Sequence, residues 1–375
     1  MRTLVLLAML VIPTVAIADT HAYIGTYTQA DGSDGIYVAQ LDEATGELSA
    51  PILAAKMENP SFLAIHPTRP LLYAVSEIGD SGEDAVGIVA FGIQPNGTLK
   101  RLNERSTRGA AACHVSVDPT GRCVAVANYT GGSCISYPIQ SDGSLGEAAS
   151  FHQHVGGSGG NPQRQAGPHA HSINFNSDGT QAFVADLGKD QVLLFDVDAE
   201  RGQLTPSKQA FLQLPVGSGP RHFSLHPEGK HAFTNLEMSS QVAELHYDST
   251  EGTLTLGDIW STLPVESQQS GNSTAECLVH PNGRFLYVSN RGHNSIAAYA
   301  IDAQDGGLTP LGNTSTEGKI PRGFGIDPSG QFLIVGNQHS GNVVTLKIEP
   351  QTGKLSSTGH SIDVVTPVNV RFRSN

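Results

Sequence analysis

An internal repeat constrains the fold of this chain more than any other feature of its sequence. Six four-residue turns, most of them with proline second and glycine last, recur at a spacing of roughly 50 residues. They occupy residues 66–69, 118–121, 176–179, 226–229, 280–283 and 327–330. Each turn joins two short apolar strands, and a third and a fourth strand follow before the next repeat. Four short strands per repeat of this length are typical of the blades of a β-propeller.

The two ends of the chain complete the repeat pattern. The N-terminal part offers three strands, at 22–28, 35–41 and 48–55, and the C-terminal part offers one, at 367–372, which aligns with the first strand of the other repeats. We therefore predict an all-β fold, a seven-bladed β-propeller with four antiparallel strands per blade, in which the C-terminal strand closes the first blade. Such closure leaves no exposed sheet edge. Segment 156–167 is interpreted as an insertion between blades.

The N-terminus has the pattern of an export signal. Arg2 provides a positive charge, residues 4–15 are apolar but too short to span a bilayer comfortably, and Ala16-Ile17-Ala18 forms a small-x-small cleavage site. We predict that residues 1–18 are a signal peptide, that residues 19–375 form a single propeller domain, and that the protein is periplasmic or secreted. The alternative for residues 1–18 is a buried first strand. No later segment is apolar enough to span a membrane, so we expect no membrane contact.

Composition limits the partners and cofactors that the chain could use. The formal net charge is −13, whereas binding to nucleic acid or to an anionic membrane needs clustered Lys and Arg, so we expect neither partner. The four cysteines form no CxxC pair and are predicted to be buried free thiols. They are Cys113, Cys123, Cys134 and Cys277. The histidines at 152, 154, 169 and 171 lack a matched carboxylate spacing, so we predict no bound metal. We also predict no cofactor, and we expect a monomer.

Antiparallel strands bring two sets of positions to one face of the predicted propeller. The start of each innermost strand and the turn between the second and third strands share that face, beside the mouth of the central channel. Aligning the repeats gives one row at the start of the innermost strands: Ser61, Cys113, His171, Arg221, Ala275, Arg322 and Val368. The adjacent row is Phe62, His114, Ser172, His222, Glu276, Gly323 and Asn369. Because alternate residues of a strand face opposite ways, we predict that one row lines the channel and the other packs aside.

Charged and titratable side chains are concentrated at this face. The turns after the second strands add Glu77, Tyr129, Asp186, Glu237, Arg291, His293, Gln338 and His339. An arginine offers a planar fork for a carboxylate, a phosphate or a carbonyl oxygen, and Glu237 or His171 could activate a water. The set therefore indicates acyl chemistry on an anionic substrate. The alternative is that Arg221 only pairs with Glu237 and ties two strands together.

Short motifs along the whole mature chain resemble one known family. The string Tyr-Ile-Gly-Thr-Tyr-Thr at 23–28 is followed by Gly-Pro-His-Ala-His at 167–171, Gly-Pro-Arg-His at 219–222, Ser-Asn-Arg-Gly-His at 289–293 and Pro-Arg-Gly at 321–323. In order and spacing these motifs resemble those of the propeller-type lactonases. That family includes 6-phosphogluconolactonase and the fungal 3-carboxy-cis,cis-muconate lactonising enzymes.

The resemblance implies a carboxylic-ester hydrolase that opens a sugar lactone of the 6-phosphogluconolactone type by water attack on the ester carbonyl. The implied catalytic residues are His171, Arg221, Glu237 and, as a looser match, Arg322. The rows, turns and motifs add candidate substrate-binding residues: His114, His169, Tyr129, His222, Glu276, Arg291, His293 and Gln338. Two other functions stay open, a muconate-type cycloisomerase that closes a lactone and a non-catalytic propeller that binds a ligand or a protein. The export signal departs from the cytoplasmic role of phosphogluconolactonase, so the lactone could differ.

Overall fold

The fold was derived from a computed structural model, which describes residues 20–28, 32–79, 82, 85–267 and 271–374. The predicted signal peptide, residues 1–18, lies outside the described residues. The described ranges contain strands, turns and bends but no helix. Accordingly, no described segment is a helix of the length and apolarity that crossing a membrane requires.

Seven antiparallel sheets of four strands each form the blades of a propeller in the described chain. Blade 1 contains β1 (Thr20–Thr26), β2 (Gly35–Leu41), β3 (Ile52–Lys56) and the last strand, β28 (Pro367–Ser374). Blade 2 contains β4 (Leu63–Ile65), β5 (Leu71–Val75), β6 (Ile88–Ile93) and β7 (Leu99–Arg105). Blade 3 contains β8 (Ala112–Val117), β9 (Cys123–Asn128), β10 (Ser133–Pro138) and β11 (Ser150–Gln153).

The remaining four blades follow in chain order. Blade 4 contains β12 (Ala170–Phe175), β13 (Gln181–Asp186), β14 (Gln191–Asp198) and β15 (Gln203–Gln213). Blade 5 contains β16 (Pro220–Leu225), β17 (His231–Leu236), β18 (Gln241–Asp248) and β19 (Thr253–Ser261). Blade 6 contains β20 (Ser273–Val279), β21 (Phe285–Arg291), β22 (Ser295–Ile301) and β23 (Leu308–Ser315), and blade 7 contains β24 (Pro321–Ile326), β25 (Phe332–Asn337), β26 (Asn342–Ile348) and β27 (Leu355–Asp363).

The ring is closed by the C-terminal strand, as predicted. β28 pairs antiparallel with β1 and contacts β24 on one side and β4 on the other, so the innermost strands form an unbroken ring around the channel. The strands predicted at 22–28 and 367–372 differ from β1 and β28 by two residues at some ends, and the largest difference is at β3. The strand expected at 48–55 begins at Ile52, and Leu48 forms only an isolated bridge with Leu41. Pro51, which has no N–H to donate to the ladder, separates the two segments.

Three of the repeated turns link neighbouring blades on the face opposite the predicted site. In each turn, the first-position histidine places Nε2 against the carbonyl oxygen of the turn glycine in the next blade. The pairs are His66 with Gly121 at 3.0 Å, His226 with Gly283 at 2.7 Å and His280 with Gly330 at 2.8 Å. Each of these glycines has a positive φ, and a Cβ on Gly121 would lie 2.4 Å from the His66 ring. The glycine therefore serves both the turn and the link.

The four cysteines lie in the core, as predicted. Each is buried and free of a disulfide. Burial raises the pKa of all four thiols far above the usual range, so they stay protonated at neutral pH. Because the thiolate is the nucleophilic form, these cysteines act as packing residues.

Candidate functional site

A β-bulge recurs at the start of the innermost strands. In β8, β12, β16, β20, β24 and β28 the pairing with the adjacent strand skips one or two residues. The skipped residues are Cys113, His171, Arg221 with His222, Ala275 with Glu276, Arg322, and Val368. A bulge bends the strand and re-aims the side chains of the unpaired residues. It therefore changes which residues of these strands reach the channel.

Both aligned rows converge on the channel, so the prediction that one row packs aside is wrong. His171 of the first row and His222 of the second have ring centroids 5.5 Å apart. The His222 ring also lies 5.6 Å from Phe62 and 5.5 Å from His114, although these belong to blades 2 and 3 and His222 to blade 5. Side chains from blades that are not neighbours therefore contact one another at the propeller axis. The alternation of side chains fails here because the bulges interrupt it.

Glu237 is surrounded by three guanidinium groups. It follows directly after β17, and its carboxylate is buried. Oε2 accepts a hydrogen bond from Arg221 Nη1 at 2.7 Å and pairs with Arg291 Nη2 at 2.9 Å, while Oε1 accepts one from Arg164 Nη2 at 2.8 Å. Burial raises the pKa of Glu237, but the charges of Arg291 and Arg221 outweigh it and hold the pKa well below its usual range. The carboxylate is thus charged and fully engaged, which suits orienting the arginines better than accepting a proton.

Arg164 is a site residue that the alignment of repeats missed. It comes from the insertion between β11 and β12, and its side chain is 42% exposed, so it covers Glu237 from the solvent side. Its guanidinium also donates a hydrogen bond to the Tyr129 hydroxyl at 2.8 Å. The next residue, Gln165, anchors the insertion by donating to Asp190 Oδ1 at 2.7 Å. The sequence signal for Arg164 was a basic side chain within a long insertion that enters the ring at the site face.

His171 contacts the same arginine. Its Nε2 accepts a hydrogen bond from Arg221 Nη1, the atom that also binds Glu237. Burial, followed by the positive charge of Arg221, lowers the pKa of His171 well below its usual range. The imidazole is therefore neutral at neutral pH. On the other side of the ring, Nδ1 lies 3.7 Å from Cys113 Sγ. His171 is thus a neutral base whose lone pair faces a guanidinium.

Arg322 faces this group from blade 7. Its guanidinium lies over the Tyr27 ring, 5.2 Å from the centroid, and the Tyr27 hydroxyl donates to Glu77 Oε2 at 2.7 Å. Within the part of the chain that the structure describes, Arg322 forms no ion pair, and Glu77 and Glu237 act on its charge only at longer range. Its guanidinium is therefore available to an anionic ligand.

Tyr129 and His169 form one wall beside His171. Their rings stack with centroids 4.6 Å apart and an interplanar angle of 19°. The edge of the Tyr129 ring meets His171 at 5.0 Å, and His169 Nδ1 donates to the Tyr129 carbonyl oxygen at 3.0 Å. The structure therefore brings both predicted substrate-binding residues to the arginine cluster, by which we mean Arg164, Arg221 and Arg291 with Glu237 and His171.

A second polar pair lies at the axis next to this cluster. His222 Nδ1 donates to Glu276 Oε1 at 2.6 Å, and Arg371 Nη2 lies 3.6 Å from Glu276 Oε2. Arg371, which the sequence analysis did not single out, also covers the Phe62 ring, with its Cζ 4.6 Å from the centroid. Among the described residues, His222 Nε2 is buried without a hydrogen-bond partner. The predicted residues His114, His222 and Glu276 are thus packed together at the axis.

Two further predicted substrate-binding residues, His293 and Gln338, have other contacts among the described residues. His293 Nδ1 pairs with Ser295 Oγ at 2.7 Å, and its side chain lines a groove with Trp260 and Tyr299 on the outer part of blade 6. Gln338 is half-buried, and its main-chain amide donates to the Ile320 carbonyl oxygen at 2.9 Å. Their role in substrate binding stays a prediction.

Other partners hold two of the histidines considered for a metal. His154 Nδ1 pairs with Asp186 Oδ2 at 2.7 Å, and His152 Nε2 donates to the Leu204 carbonyl oxygen at 3.0 Å. Among the described residues, neither belongs with His169 or His171 to a group of potential ligands whose atoms lie close enough to share an ion.

The site combines a surplus of positive charge with a neutral base. Four guanidinium groups, those of Arg164, Arg221, Arg291 and Arg322, face the two carboxylates of Glu237 and Glu77. Burial lowers the pKa of Arg291 to about 9, which still leaves it charged at neutral pH. The chain as a whole has a formal charge of −13, so this positive charge is local. Such a site can hold an anion, polarise a carbonyl group and accept a proton through His171.

Comparison with known proteins gives one family for nearly the whole described chain. A family model described as "Lactonase, 7-bladed beta-propeller" matches residues 21–372. Over 306 residues the chain is 37% identical to the 6-phosphogluconolactonase of Bacillus subtilis. This alignment covers 81% of the present chain and 84% of that relative. Over 311 residues it is 33% identical to the 6-phosphogluconolactonase of Formosa agariphila, covering 81% of this chain and 86% of that relative.

Solved structures share the fold over 95% of the chain. The periplasmic gluconolactonase of Pseudomonas aeruginosa superposes with a TM-score of 0.88 at 32% identity, covering 95% of this chain and 99% of that one. A protein from Lactobacillus plantarum superposes with a TM-score of 0.86 at 35% identity, covering 95% of this chain and 100% of that one. The predicted seven-bladed architecture is confirmed.

Proposed function

The chain belongs to the lactonase family of seven-bladed β-propellers, and we propose that it hydrolyses a sugar lactone of the 6-phosphogluconolactone type to the open-chain acid. The observation that carries this proposal is the contact of Arg221 with both Glu237 and His171 at the channel mouth, beside Arg322. Such a lactone offers these residues an ester carbonyl, and its phosphate would meet the surplus positive charge. The names of two relatives, 6-phosphogluconolactonase and periplasmic gluconolactonase, support this class of substrate.

The two arginines have separate tasks in this proposal. Water attack on the lactone carbonyl turns the carbonyl oxygen into an oxyanion, which a preorganised guanidinium N–H stabilises. Arg221 is preorganised because Glu237 holds Nη1 and the Ala275 carbonyl oxygen accepts from Nε at 3.1 Å. Arg322, which stacks on Tyr27, then holds the anionic group of the substrate.

His171 is the better candidate for activating the water. A carboxylate as strongly stabilised as Glu237 is a poor base. A lactone carbonyl that binds Arg221 competes for the N–H that His171 Nε2 accepts, and so frees Nε2. As the water oxygen bonds to the carbonyl carbon, Nε2 takes the water proton. When the tetrahedral intermediate collapses, the ring oxygen leaves and recovers that proton from the imidazolium.

The pH profile should show its acid limb below pH 6.5, the ordinary pKa of histidine. Because the pKa of His171 is lowered, the imidazole stays unprotonated as the pH falls through 6.5, and the base is lost only in more acidic solution. We expect kcat/KM, corrected for spontaneous ring opening and for ionisation of the substrate, to stay level through pH 6.5 and to fall only in more acidic solution. A His171→Gln variant is the control, since its residual rate should lack this limb. An apparent pKa at or above 6.5 would contradict the assignment.

A panel of sugar lactones, each with and without a 6-phosphate, tests the proposed function. The purified mature protein should open at least one member faster than the spontaneous reaction. If no member is opened although ligands bind, the non-catalytic propeller becomes the better interpretation. If a muconate is instead converted to its lactone, the cycloisomerase is favoured.

We also propose that this lactonase acts outside the cytoplasm. Residues 1–18 carry the charged, apolar and small-residue pattern of a signal peptide. The Pseudomonas aeruginosa relative, described as a periplasmic gluconolactonase, supports the same location. N-terminal sequencing of the native protein should find Asp19 as the first residue, and a chain that begins at Met1 would contradict the proposal.

A further inference from the structure

Three potential metal ligands lie together on one face of blade 5, far from the arginine cluster. His231 begins β17, and His246 of β18 is its direct cross-strand partner. Glu244 lies two residues before His246 and therefore on the same face of the sheet. One ligand atom from each residue can be chosen so that all three lie within 4.8 Å of one another. Glu237 follows the other end of β17, a strand of 6 residues, so about 20 Å separates the two groups.

The distances between these atoms match those around a tetrahedral zinc ion. Glu244 Oε1 lies 3.3 Å from His231 Nδ1 and 3.4 Å from His246 Nδ1. Two ligands at about 2.0–2.1 Å from zinc and at the tetrahedral angle lie about 3.4 Å apart. Among the described residues, Glu244 Oε1 and His231 Nδ1 are both buried without a hydrogen-bond partner. Buried polar atoms are normally paired, so these two atoms point to a ligand.

The neighbouring blade presents a glycine, rather than a side chain, to this group. Gly306, in the turn between β22 and β23 of blade 6, faces the group, and a Cβ there would lie 2.3 Å from both Glu244 Oε1 and His231 Nδ1. Any side chain at position 306 would therefore fill the space beside these two ligand atoms. Asp305, next to it, adds negative charge near Glu244. The side chain of His246 is 47% exposed, which gives an ion a path from solvent.

We propose that His231, Glu244 and His246 bind one zinc ion at the boundary between blade 5 and the Gly306 turn of blade 6, with a water as the fourth ligand. Two imidazole nitrogens and one carboxylate are ligands that zinc favours. Magnesium and calcium favour oxygen-rich sites, so neither should compete. Because the ion binds the folded ring and joins strands β17 and β18, it stabilises the native state by mass action.

Zinc titration of the full mature chain tests this site. The protein should be produced without a histidine tag and freed of metal with EDTA. Calorimetry should then show one zinc ion per chain, and saturating zinc should raise the thermal midpoint. His246→Ala removes the most exposed ligand without disturbing the core, and it should weaken zinc binding at least about tenfold. His360→Ala, which removes a partly exposed strand histidine from blade 7, is the matched control and should bind as the wild type does.

Cobalt(II) gives a second measurement, because a tetrahedral cobalt site absorbs visible light strongly. The wild type and His360→Ala should show this absorption, and His246→Ala should not. The proposal is overturned if the wild type takes up no zinc. It is equally overturned if His246→Ala binds zinc as tightly as His360→Ala.

Discussion

Replacing Arg221 with alanine is expected to lower kcat/KM for lactone hydrolysis by at least about tenfold, which is about 1.4 kcal/mol of barrier. The change removes the guanidinium that we place against the developing oxyanion, and one such donor commonly contributes about 10²–10³ in rate. The measurement is the steady-state rate on the best lactone of the panel, corrected for spontaneous opening. The loss should appear in kcat as well as in kcat/KM, because the interaction strengthens in the transition state.

The fold should survive this substitution. After removal of Arg221, the buried Glu237 keeps Arg164 at 2.8 Å and Arg291 at 2.9 Å, so its charge is not left alone. Arg221→Lys keeps the charge but loses the planar fork, and it should recover only part of the rate. Arg284→Ala is the matched control. Arg284 is exposed and lies directly before β21, next to a turn on the opposite face of the propeller. A folded Arg221→Ala protein with the wild-type rate would leave Arg221 as a tie between strands.

The architecture was predictable because every repeat carries its own turn chemistry. The His-Pro-x-Gly turns mark the boundary between first and second strands, and the structure shows why histidine and glycine recur together: His226 and His280 each contact the turn glycine of the next blade. Closure followed from counting strands, since three at one end and one at the other complete a blade. The turns and the number of strands depend on residues close together in the chain and on a repeat of about 50 residues. Both can therefore be recognised in the sequence.

The candidate site was predictable only where it follows the repeat. His171 and Arg221 occupy equivalent positions in adjacent repeats, and Glu237 follows the second strand of one of them, so alignment alone placed them near one another. The alternation argument failed at His222 because bulges re-aim the residues around it. Arg164 was missed because its insertion has no counterpart in the other repeats. Arg371 was missed because the aligned rows included only positions 368 and 369 of its strand.

The zinc site required information that no repeat supplies. Glu244 and His246 are two residues apart in one strand, which alone is an unremarkable pattern. His231 joins them only through the register in which β17 pairs with β18. The two ligand atoms stay free of a covering side chain because position 306, in a different blade, is glycine. Such a site depends on cross-strand register and on packing between blades, and both are properties of the folded chain.

Deleting residues 366–375 is expected to abolish the cooperative thermal unfolding of the protein. The deletion removes β28, the inner strand of blade 1, and so exposes the edge of β1 and opens the ring. Val368 and Val370 are 3% and 0% exposed, and burial of each contributes about 1.5–3 kcal/mol. Together with the lost strand ladder, this is a large part of the roughly 5–15 kcal/mol by which a domain is stable.

Rescue in trans separates the loss of this strand from a general effect of shortening the chain. A synthetic peptide of residues 366–375 should pair with β1 of the deleted protein and restore a cooperative transition, measured by calorimetry. A peptide of the same composition, reordered so that polar residues occupy positions 368 and 370, should not, because both positions are buried. A deleted chain that unfolds with the wild-type midpoint would mean that the ring does not depend on its C-terminal strand, and the closure of the propeller by β28 would have to be given up.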